Sequence, residues 1–116
     1  MYEDMGEVNK AVEDNQNVLT LEMSNLRDAY GKKRLGKFVL DGIKDELIGM
    51  GLGHYPSELP NDQRESVRIY KLGSGVGKII DAVLKVGEDS DEFLRKNSAN
   101  DDADLLKQVR EIVCPD

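Results

Sequence analysis

Apolar residues recur with helical spacing in three stretches of the chain and alternate in a fourth. Between Arg34 and Met50, Val39, Ile43, Leu47 and Met50 share one face, with Leu35 and Leu40 beside it. That period predicts a long helix over about 34–50, stopped by Gly51 and Gly53. Gly36, Gly42 and Gly49 each weaken such a helix by about 1 kcal/mol relative to alanine, and close helix packing is what they would allow. Val76, Ile79, Ile80, Val83 and Leu84 fall at i, i+3, i+4, i+7 and i+8 and predict a second helix over about 76–86. Leu105, Leu106, Val109 and Ile112 predict a third over about 101–113, with a stripe suited to a core or to the seam of a homodimer. In "ESVRIYKL", Val67 and Ile69 alternate with Arg68 and Tyr70, the pattern of a half-buried strand.

The remaining segments are shorter. Val18 and Leu19 suit a short strand, Thr20 a helix cap, and Leu21 to Tyr30 a short helix ended by Gly31. Pro56 and Pro60 make "HYPSELPND" a loop. Residues 1–16 carry few large apolar side chains and read as a mobile acidic tail. The expected organisation is that tail, a core domain over 17–86, and an acidic linker with a C-terminal helix over 87–116. The fold class expected is α+β, mainly helical, with a core ordered strand-helix-helix-strand-helix.

Composition narrows the class. A chain of 116 residues makes one domain the expectation, and 39% hydrophobic against 34% charged residues suits a small soluble protein. No apolar run approaches the roughly 20 residues that span a bilayer, and "MYEDMGEVNK" lacks the apolar region of a signal peptide. A lone cysteine, Cys114, cannot form an internal disulfide and fits a reducing cytoplasm. The formal charge of −7 is unevenly spread: residues 25–80 hold ten basic against seven acidic side chains, and both flanking regions are acidic. A basic centre in an acidic chain leaves nucleic acid open as a partner.

Candidate chemistry is sparse. "YKLGSGVGKIIDAVL" has the outline of a phosphate-binding loop, but G-x-x-x-x-G-K-[ST] needs a glycine where Leu72 stands and a hydroxyl where Ile79 stands. A tight turn at Gly73 and Gly75, with Ser74 capping the next helix, accounts for it better. His54 and Cys114 supply neither a zinc site nor a nucleophile pair, since two further ligands are wanting and Cys114 lies two residues from the end. The acids from Glu88 to Asp104 lack the calcium-loop spacing. No residue set supports an enzyme, a metal or a cofactor. "KKRLGK" stands out instead. Lys32, Lys33, Arg34 and Lys37 surround the start of the long helix, where cations oppose the macrodipole and invite an anionic partner. Arg68 on the outer face of the strand, with Arg64, Lys71, Lys78 and Tyr70 near it in sequence, would extend that patch.

Thr20 to Tyr70 resembles the winged-helix class. The pattern "LRDAYGKKRLGKFVLDGIKDELIGMGLG…P…VRIY" is similar to a helix-helix-strand module that recurs in bacterial regulatory and conflict-system proteins, through Leu26, Tyr30, Gly31, Arg34, Val39, Ile43, Leu47, Gly51 and Val67. The resemblance implies a bacterial DNA-binding module acting in transcription regulation, and the charge pattern puts its contact at Lys32, Lys33, Arg34, Lys37 and Arg68. The alternative is a protein-interaction or inhibitor protein of phage or mobile-element type, working through acidic surfaces and amphipathic helices.

Overall fold

The computed structural model describes residues 2–98. Its first element is a helix, α1 (Met5–Asp14), lying inside the segment expected to be a mobile tail. That expectation is corrected. The Asp4 carboxylate accepts the Glu7 N–H at 2.8 Å and caps the helix, and Glu7 complements the dipole of the first turn. Met5, Val8 and Val12 are buried. Three apolar residues suffice to dock a helix when spacing puts them on one stripe. Gln16 and Asn17, with left-handed φ of 61° and 72°, then turn the chain, and the Asn17 N–H closes on the Val12 carbonyl at 2.8 Å.

Strand β1 (Val18–Glu22) runs directly into helix α2 (Met23–Ala29). Thr20, expected as a helix cap, is instead a strand residue opposite Arg68. The start of α2 has no side-chain cap. Its Met23 N–H donates to the Glu65 carbonyl at 2.8 Å, and its Ser24 N–H to the Gln63 carbonyl at 2.9 Å. Those acceptors belong to a distant segment, so no local signal marks the helix start. At the other end Gly31 takes a φ of +82°, and the Lys32 N–H reaches the Arg27 carbonyl at 3.1 Å. This is a glycine-terminated helix end.

Helix α3 (Lys37–Gly49) starts three residues later than the periodicity suggested. Ile43 and Leu47 are fully buried, while Val39, Leu40 and Met50 pack partly against the core. Gly42 meets α2 closely: a β-carbon there would stand 2.0 Å from the Tyr30 hydroxyl oxygen. Gly36 and Gly49 have open space instead, so only one of the three helix glycines is a packing requirement.

Strands β2 (Leu52–Tyr55) and β3 (Ser66–Lys71) form a hairpin through residues 56–65. The loop expected over "HYPSELPND" therefore begins two residues late, since His54 and Tyr55 pair with Ile69 and Arg68. Leu-Gly-His-Tyr has little strand propensity of its own, and the ladder to β3 makes it a strand. Gly53 lets the Tyr70 ring lie across it, where a β-carbon would come within 2.7 Å of the ring. The sheet is antiparallel in the order β1-β3-β2. On one face Leu21, Leu52, Val67 and Ile69 join Met5, Val8, Val12, Met23, Leu26, Ala29, Ile43 and Leu47 in a single core, so α1, α2 and α3 cover that face. Thr20, Tyr55 and Arg68 point to the other.

The chain divides into two compact units, Met1–Ser74 and Gly75–Asp116. The division falls at Ser74, not at residues 16 and 86, because α1 contributes to the core of the first unit. In the second, helix α4 (Gly75–Leu84) follows a turn at Gly73 (φ +81°), as expected for the glycine cluster. Ile80 of α4 is buried and Val83 half-buried, and neither belongs to the core of the first unit. Helix α5 (Glu88–Ser98) replaces the linker expected there. Acids Glu88, Asp89 and Asp91 lie in its first turn and Arg95 and Lys96 in its last, the distribution a helix dipole favours. Arg95 pairs with Glu88 at 3.0 Å. The helix expected at 101–113 and Cys114 lie outside the described residues. The α+β class, mainly helical, is observed. No helix among the described residues is long and apolar enough to cross a membrane.

Candidate nucleic-acid interface

The cations of "KKRLGK" are displayed by a loop with two anchored ends. Tyr30 and Leu35 pack against the core on either side of it, and Gly31 turns the chain out of α2. Lys32, Lys33 and Arg34 are left exposed between these anchors, and Lys37 is exposed at the first position of α3. Among the described residues none of these four side chains makes an ion pair or hydrogen bond; the ion pairs there use other cations. Residues 32–37 hold four cations and no acid. The nearest acid that follows is Asp41, one turn beyond Lys37 in α3.

A second element completes the surface. The β2–β3 loop is fastened to α2 by the backbone bonds to Met23 and Ser24 and by Arg27, whose guanidinium donates to the Gln63 side chain and pairs with Asp28 at 2.9 Å. Asp62 accepts the Arg64 N–H at 2.9 Å and shapes the turn, which sends the Arg64 side chain outward at 85% exposure. Its contact with the Asp62 carboxylate, at 3.6 Å, is exposed and weak. Between this loop and the loop preceding α3 lies an open cleft of about 560 Å³, lined by Lys33 and Arg34 on one side and by Arg64 and the acidic Asp62 on the other. A second hollow of about 460 Å³ adjoins it at Asn61, between Lys37 and Lys44 of α3 and Glu58 of the loop.

The structure thus sets Lys33 and Arg34 across one cleft from Arg64, with Lys37 on the adjoining hollow and Lys32 in the same exposed loop. Arg68 is not among them. It lies at the centre of β3 on the sheet face turned away from α1, α2 and α3, between Thr20 and Tyr55. Lys71 is taken by α1, with Asn9 at 3.3 Å and Glu13 at 3.1 Å, and Lys78 belongs to the second unit. Two residues near the patch escaped the sequence reading, Phe38 and Lys44. Phe38 was legible as a large apolar residue of α3 that falls off the Val39–Ile43–Leu47 stripe, as Ile48 also does at the far end of the helix. Comparison of the chain with protein families, with characterised proteins and with solved structures finds no match.

Proposed function

We propose that residues 2–74 are a winged-helix module that binds nucleic acid and serves regulation without chemistry of its own. The order α1-β1-α2-α3-β2-β3 with β3 central supports this reading. In it α2 and α3 are the helix-turn-helix pair and the β2–β3 loop is the wing. The observation that carries it is one cleft bordered by the unpaired cations of the α2–α3 loop and by Arg64 of the β2–β3 loop. A helix pair and a wing presenting positive charge to a common side is what a polyanion requires.

The assigned contacts are Lys32, Lys33, Arg34 and Lys37, with Arg64. Arg68, on the far sheet face, is left out of the primary contact. Fluorescence anisotropy with duplex and single-stranded DNA at about 50 mM salt tests the reading. The intact protein should bind duplex, the K32A/K33A/R34A variant should bind at least about tenfold more weakly, and Arg68→Ala should bind as the parent does. Absence of binding by the intact protein would remove the reading. It would leave the protein-interaction alternative, to which the acids of α5 lend themselves.

A further inference from the structure

Phe38, the second residue of α3, is 89% exposed although the core face of that helix is already filled by Ile43 and Leu47. What covers it is decided by its neighbours. Lys37 precedes it in the helix, Lys32, Lys33 and Arg34 sit in the loop just before, and none of these side chains has a partner among the described residues. An apolar protein surface laid over Phe38 would have to strip water from these cations without compensation. A duplex offers phosphates to the cations and base edges between them.

The rest of α3 restricts where such a contact occurs. Asp41 and Asp45 follow Phe38 at i+3 and i+7, on the same side of the helix and exposed. Their carboxylates repel phosphate from the second half of α3. Approach is confined to the first turn, the part of a recognition helix that reaches base edges in helix-turn-helix proteins. A phenyl ring reads one feature of the major groove by apolar contact, the 5-methyl group of thymine.

Building on the nucleic-acid reading above, we infer that Phe38 is a base-contacting residue. It packs on a thymine 5-methyl group while Lys32, Lys33, Arg34 and Lys37 hold the flanking phosphates, and the module prefers duplexes that carry thymine.

Substituting deoxyuridine for thymidine removes that methyl group and leaves pairing and charge unchanged. The full chain is titrated by anisotropy against an alternating A·T duplex and an A·U duplex of equal length, so that every register presents the group. The intact protein should bind the A·T duplex about fourfold more tightly, the factor corresponding to one methyl group leaving water. Phe38→Ala should bind both duplexes equally and keep the salt dependence of the parent. Equal binding of the two duplexes by the intact protein, or a thymine preference that survives Phe38→Ala, overturns the assignment of Phe38 while the nucleic-acid reading stands. Failure to bind either duplex overturns both. The comparison with intact protein needs no variant, so a folding defect in Phe38→Ala cannot obscure it.

Discussion

Single residues decide how closely α2 and α3 approach. A β-carbon at position 42 would stand 2.0 Å from the Tyr30 hydroxyl oxygen and 2.5 Å from the ring carbon that bears it. The ring is half-buried, so it would have to swing away and give up packing against α3. Overpacking of that kind costs about 1–3 kcal/mol, which over most of that range exceeds the roughly 1 kcal/mol that alanine gains over glycine within a helix. Gly42→Ala is therefore expected to lower stability in urea titration followed by circular dichroism. Gly49→Ala, with nothing within 4 Å of its added carbon, should be neutral or stabilising by up to about 1 kcal/mol. Equal effects at the two positions would mean that the Tyr30–Gly42 approach is not what sets the helix spacing. The sequence marks all three helix glycines alike; only the partner helix tells them apart.

At the scale of elements, α3, α4 and β3 were legible because each carries enough apolar residues to display its own period. The elements that were not legible draw their reason from elsewhere. Helix α1 buries only Met5, Val8 and Val12, and its other residues are polar or small, so composition hid the stripe. Strand β2 exists through its ladder to β3, and the start of α2 is fixed by carbonyls of Gln63 and Glu65. The candidate site divides the same way. "KKRLGK" needed no fold to be seen, since its cations are near neighbours in one loop. Arg64 was also named as an extension of the patch; that it borders the cleft while Arg68 does not, and that Lys71 is tied to Glu13, required the strand pairing and α1. If α1 is integral, Val8→Asp places a carboxylate at a fully buried position and should cost several kcal/mol, a large part of a typical domain's stability. Lys10→Gln, at an exposed position of the same helix, should stay within about 0.5 kcal/mol. Thermal melts of the two variants check this. A Val8→Asp melt matching that of the parent would restore the mobile tail.

At the scale of the whole molecule the difficulty is charge. A chain with a formal charge of −7 is asked to bind a polyanion, and even residues 2–74 carry ten cations against thirteen acids. Screening resolves this. At 0.1 M salt the Debye length is about 10 Å, so acids farther than that from the contact are largely screened and the local charge there governs affinity. The count of phosphates neutralised then becomes measurable, because log affinity falls with log salt by about 0.9 per phosphate on duplex DNA. Lys32, Lys33, Arg34 and Lys37 alone give a slope of about −3.6, and Arg64 extends it to about −4.5. Arg64→Ala should flatten the slope by about 0.9 if the β2–β3 loop touches the backbone, and K32A/K33A/R34A should flatten it by about 2.7. Arg68→Ala should leave it unchanged. Near 10 mM salt the Debye length reaches about 30 Å, the distant acids act again, and the plot should bend toward weaker binding than the straight line extrapolates. A line that stays straight to that limit would show the acidic remainder to be electrostatically silent. A slope indifferent to Arg64 would detach the β2–β3 loop from the interface and leave the α2–α3 loop as its whole electrostatic footprint.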